Sequence, residues 1–190
     1  MHGSNPYYTW TSSDNAGGSA YGALPSANPG MSSNLLTLVF TSMNPNILSS
    51  TVVGPNNDPC YYVITDSSLP GYTVFKGTDD RSVALIDWTR QCQVEIRDIV
   101  RKQAASSFLS LSSDRQYRIM TVAGQKYMWA PHKNLICLYT NNTPTPVQLA
   151  QLSKVQGIIK LELTASAVQA GLVLPCLAAA VLLQSGQRID

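Results

Sequence analysis

Hydrophobic and polar positions alternate along this chain in short runs, with turn chemistry between them. LLTLVFTS (35–42) alternates loosely and is rich in strand formers; Asn44-Pro45-Asn46 then breaks it. TVV (51–53) precedes GPNNDP, a dense turn cluster. CYYVIT, YTVFKG, SVALIDW and QVEIR follow, punctuated by Pro-Gly, Gly-Thr-Asp-Asp or a charged break. The stretch 97–110 reads two ways: IRDIVRKQ suits a helical turn or two, or a strand with a polar bend. RQYRIMTV and QKYMWA flank a tight Ala123-Gly124 turn, and LICLYT, VQLAQL and GIIKLEL complete the series. About ten or more strands at short, regular spacing predict a sandwich or a barrel.

The pattern then changes. Residues 163–187 carry no charge, and 165–183, ASAVQAGLVLPCLAAAVLL, are apolar on every helical face. A helix of this kind belongs in a protein interior or in a bilayer. Inside a barrel it would fill the lumen that a closed sheet leaves. In a bilayer it would make a tail-anchored protein spanning with residues 165–184. The many alanines, Ser166, Gln169 and Gly171, and thin flanks of Lys154, Lys160 and Arg188, favour the interior. Thr164 is the expected N-cap. Pro175 predicts a kink rather than a break, because Gly171 has no side chain to crowd the ring.

Residues 1–33 hold Ser, Gly, Asn, Pro, Ala and Tyr with Asp14 as their single charge, and are expected to be a disordered tail before one domain, 34–190. Charged residues make up 13% of the chain, about half the usual share, which implies a polar but uncharged surface. A net charge of +2 is too small for nucleic-acid binding by bulk electrostatics. MHGSNPYYTW lacks the basic patch and apolar run of a secretory signal, so an intracellular, cytoplasmic protein is expected. Cys60, Cys92, Cys137 and Cys176 are far apart, with no metal-ligand spacing, and read as small buried hydrophobes, with disulfides as the alternative.

Taken in order, LTLVFTSMNPNILSSTVV, PCYYVIT, YTVFKG with SVALIDW, RQYRIMTVAGQKYMW, and LELTASAVQAGLVLPCLAAAVLL resemble a family of uncharacterised domains common in mushroom-forming fungi. That family's fold is similar to the tubby and LURP-one-related barrels. The resemblance spans residues 35–185 and implies a mainly β protein. Its expected form is a closed antiparallel barrel of about twelve strands around a central C-terminal helix. Pro175, and a charged cluster reduced to Arg188 and Asp190, depart from the family pattern. No activity is established for the family, so the resemblance implies a fold and no reaction.

Candidate chemistry is sparse. His132 lies in a Pro-His-Lys-Asn turn, and no Gly-x-Ser-x-Gly elbow supplies a nucleophile for it. Asp79-Asp80 reads as a hairpin turn, and Trp88 and Trp129, each closing an apolar strand, as core. No cofactor or metal motif is present. The remaining candidate is electrostatic: Arg97, Arg101, Lys102, Arg115 and Arg118 could line up on adjacent strands and hold an anion such as a phospholipid headgroup. Tubby-type barrels bind phosphoinositides, which the resemblance extends here as an expectation, although none of their binding residues maps one for one. The plainer reading is a solvated face balanced by Glu95, Asp98 and Asp114, and it takes precedence. The expectation is a non-catalytic binding or scaffold domain for an anionic headgroup or a protein partner, with the tail-anchored protein as the first alternative and an unrecognised enzyme as the second.

Overall fold

In the computed structural model, strands form where turn residues bracket alternating runs. The structure describes residues 35–190 apart from Leu69 and Asn142; the expected tail, 1–33, lies outside the described residues. The first half holds β1 (Leu36–Thr41), β2 (Ser50–Val53), β3 (Pro59–Ile64), β4 (Tyr72–Gly77), β5 (Ser82–Asp87), β6 (Gln93–Ile96) and β7 (Val100–Ala104). A single turn of helix, α1 (Ala105–Phe108), leads into β8 (Leu109–Leu111), β9 (Arg118–Val122), β10 (Gln125–His132), β11 (Leu135–Thr140), β12 (Gln148–Val155) and β13 (Ile158–Leu163). Two helices close the chain, α2 (Ala165–Gln169) and α3 (Val173–Gln184). The ambiguous stretch 97–110 is therefore strand, helical turn and strand in succession.

The thirteen strands of the described residues join one antiparallel sheet in the order β7-β6-β5-β4-β3-β2-β1-β13-β12-β11-β10-β9-β8. That is one strand more than expected. The terminal strands β7 and β8 are not paired with each other; α1 touches both, along with β6 and β9. Alternate residues turn inward along each strand. Leu38 and Phe40 of β1, Ala84 and Ile86 of β5, and Ile159, Leu161 and Leu163 of β13 are all buried. Trp129 is wholly buried, and Trp88 is half-buried with its indole N–H donating to Thr73 Oγ1 at 2.9 Å.

The apolar run is two helices rather than one. Thr164 caps α2 as expected, its Oγ1 accepting from the Ala167 amide at 3.2 Å. The helix then stops at Gly171, whose φ of +71° is left-handed. The Gly171 amide donates to Val168 and the Leu172 amide to Ala167, which is the paired bonding of a Schellman stop. Pro175 consequently falls in the first turn of α3, where the ring forfeits no intrahelical bond. The expected kink is absent because Gly171 ends a helix instead of cushioning a proline inside one.

From Pro175 to Gln184 every residue of α3 is buried, and Cys176–Leu182 are 0% exposed. It touches the adjacent pair β5 and β6 and also β13, five places from β5 in the sheet order. Leu177, Val181, Leu182 and Leu183 each stabilise by about 1.5–3 kcal/mol on leaving water. No helix among the described residues is long and apolar enough to cross a membrane. The twelve residues of α3 rise only about 18 Å, against a hydrocarbon core of about 30 Å, so a tail anchor formed by 165–184 is not supported.

Antiparallel pairing throughout makes the connections alternate between two ends of the sheet. The first end carries the β1–β2, β3–β4, β5–β6, β8–β9, β10–β11 and β12–β13 links. The second carries β2–β3, β4–β5, β6–β7, β9–β10, β11–β12 and the start of α2, where the Thr164 amide bonds Leu149. Asp190 reaches Arg118 at the start of β9, back at the first end. The C-terminal segment therefore runs from one end to the other.

Candidate functional site

The β5–β6–β7 edge carries an open cleft of about 650 Å³, lined in part by Val83, Leu85, Glu95, Arg97, Asp98 and Arg101. Its shape comes from two local features. Asp98 takes a left-handed φ of +60°, so the chain reverses tightly after β6, and the Arg97 amide reaches back to the Val83 carbonyl at 2.9 Å. Then β7 bulges: Ile96 pairs with Val100 and Val94 with Gln103, which leaves Arg101 and Lys102 together opposite Glu95. Both cations are exposed, so the extra residue brings two consecutive side chains out to solvent where strict alternation would have turned one inward.

The five basic candidates do not share one face. Arg97 and Arg101 line the cleft, with Arg97 Nη1 3.5 Å from the Ser82 carbonyl. Lys102 is drawn to Asp87, Nζ to Oδ2 at 3.3 Å. Arg115 stands in the β8–β9 turn at the other end of the sheet, with φ +58°. Arg118 is fully buried; it donates to the Leu109 carbonyl at 2.8 Å and grips the carboxylate of Asp190 with two nitrogens. Glu95 and Asp98 sit in the cleft beside the two arginines, so what remains is mixed in sign.

Asp87 is held below the usual carboxylate range, first by the Thr89 hydroxyl at 2.6 Å, then by the Thr89 amide and Lys102, with burial opposing them. His132 closes β10 across from Leu135 and makes no hydrogen bond with a carboxylate or hydroxyl among the described residues. Asp79 and Asp80 occupy the β4–β5 turn. All four cysteines are free; Cys92, Cys137 and Cys176 are buried and Cys60 half-buried. Burial pushes the Cys92 thiol up to about 12 and the Cys137 thiol up to about 11, which keeps both out of the reactive thiolate form. Among the described residues no group of His, Cys, Asp and Glu could hold a metal ion.

Sequence patterning missed the aliphatic part of the cleft. Ile99 lies in the ambiguous stretch, and Val83 and Leu85 occupy the outward positions of β5. Their only signal was that SVALID is apolar at outward as well as inward positions.

Sheet, buried helix and edge cleft together define a mainly β domain of the antiparallel kind. The chain belongs to a family whose function is unknown, "Family of unknown function (DUF6593)", whose model matches residues 45–183. No curated protein matches. Among solved structures, one X-ray structure of a protein from Arabidopsis thaliana aligns at 12% identity and a TM-score of 0.39, over 74% of this chain and 88% of that one.

Proposed function

We propose that this chain is a non-catalytic scaffold domain that takes a segment of a protein partner at the β5–β6–β7 cleft. The observation that carries the reading is the mixed lining. Arg97 and Arg101 lie beside Glu95 and Asp98, over the half-exposed aliphatic side chains of Val83, Leu85 and Ile99. Such a surface suits an extended segment with both charge signs and an apolar residue. An anionic lipid headgroup fits this cleft less well, because two carboxylates offset the two guanidiniums.

The same reading includes a tubby-like architecture of fungal origin, with the sheet sealed into a barrel around α3. It is supported by α1, which touches strands at both edges of the sheet, and by burial of α3 on all sides. The test is selection of random displayed peptides on the full chain. Enriched synthetic peptides are then titrated against wild type and R97E/R101E. The expected result is peptides bearing an acidic residue, weakened tenfold or more by the double reversal. Enriched peptides that ignore the reversal, or no enrichment on folded chain, overturn the reading.

A further inference from the structure

The end of the sheet away from the cleft carries a second surface. β12 and β13 are joined by Gln156 and Gly157, both at positive φ (+50° and +83°), the tightest form of hairpin turn. Directly across this turn Val155 faces Ile158, and the two are 66% and 55% exposed. Turn-flanking positions in water are ordinarily polar, so a cross-strand aliphatic pair at a tip stands out.

The ladders beside this hairpin end before its turn. Pairing with β11 stops at Ser153 and pairing with β1 at Ile159, while the Lys133-Asn134 turn and the 42–49 link continue alongside it, so the aliphatic pair stands among the loops of this end rather than within the sheet.

Charge points the same way. The neighbouring tips at this end hold Lys133 in the β10–β11 turn and Arg115 in the β8–β9 turn, both exposed, and Lys154 is exposed beside the aliphatic pair. Asp114 is the acid among them; its carboxylate accepts from Ser112 Oγ at 2.5 Å and from the Gln116 amide at 3.1 Å. The β1–β2 link, 42–49, has no charge at all. At the opposite end Asp58, Asp79, Asp80 and Asp98 lie in the turns against Arg81 and Arg97, with Lys76 paired to Asp80 at 2.8 Å. The aliphatic pair thus sits among three cations and one acid of the β8–β9, β10–β11 and β12–β13 tips, with Asp66 in the β3–β4 link of the same end.

We propose that this rim, the β8–β9, β10–β11 and β12–β13 tips, docks onto an anionic bilayer, with Val155 and Ile158 entering the interface and Arg115, Lys133 and Lys154 facing the headgroups. The surface is independent of the cleft and lies at the far end of the sheet from it, so a chain bound this way presents the β6–β7 turn to the water side. Contact is peripheral; no helix crosses the bilayer.

Sedimentation of the full chain with vesicles tests it, using phosphatidylcholine alone and phosphatidylcholine with 30% phosphatidylserine, at low and high salt. Wild type should pellet with the anionic vesicles only and be released by salt. K133E/K154E should lose more than tenfold in partitioning, since each cation near such a surface is worth about fivefold. V155S/I158S should lose at least tenfold without changing the salt dependence. R97E/R101E should bind as wild type does, which separates this surface from the cleft. Circular dichroism confirms folding, and K133Q/K154Q stands in should the charge reversal not fold. Binding unchanged by either tip variant, binding lost only in R97E/R101E, or no pelleting of folded wild type overturns the proposal. So does saturable capture of a protein by the V155/I158 tip in place of vesicles.

Discussion

Arg118 shows how far a residue's role depends on contacts that primary structure does not announce. It looks like one more cation in a basic third of the chain, yet its guanidinium is fully buried against the Leu109 carbonyl and Asp190. The partner lies 72 positions downstream, beyond the reach of any local pattern. Replacing Asp190 with Asn leaves a buried charge with a weakened partner. Because Asp190 itself is 43% exposed, the expected loss is about 2 kcal/mol, below the 3–5 kcal/mol of a fully buried pair. Urea unfolding of D190N against wild type measures it, and an unchanged midpoint would show that the pair contributes nothing. Other residues were readable because their environment is local: Thr164 as a cap, Asp79-Asp80 as a turn, and Cys92, Cys137 and Cys176, though not half-buried Cys60, as buried small side chains.

Elements defined by period-2 alternation and bounded by Gly, Pro, Asn or Asp were legible, and eleven of the strands coincide with runs evident in the sequence. The stretch 97–110 was not, because the β7 bulge destroys the alternation that would mark a strand and α1 is too short to show a helical period. The position of the break in the apolar run was also hidden. Composition shows a glycine and a proline four residues apart; only backbone geometry says which one interrupts the helix. A pair of substitutions checks the answer. P175A should change stability by less than about 1 kcal/mol, since first-turn proline forfeits no bond, whereas relieving an interior proline would stabilise by about 3 kcal/mol. G171A should cost about 1–2 kcal/mol, the penalty of a side chain in the left-handed region. Thermal unfolding of the two variants side by side reads both.

At the scale of the whole molecule, mainly β character and a buried apolar helix were foreseeable, because strands with one apolar face need an interior and the uncharged C-terminal run supplies its filling. Which loops share an end was not, and that arrangement divides the basic residues between two ends, a buried pair and a cleft. Ending the chain after Leu163 removes α2 and α3 and leaves Ile86, Val94 and Leu161 without the surface that covers them. Such a chain should keep strand signal in far-ultraviolet dichroism, bind a hydrophobic dye and unfold without cooperativity; a sharp transition equal to wild type would mean α3 is dispensable. The pairing of β1 with β13 carries a temporal consequence. Leu36 meets Leu163, 127 positions later, so at about 5–20 residues per second β1 waits roughly 6–25 s for its mate to be translated. Throughout that interval a nascent polypeptide displays the naked flank of β1, LTLVFT, to every other chain in the crowd. Overexpression should therefore tax this protein at birth rather than in its mature state.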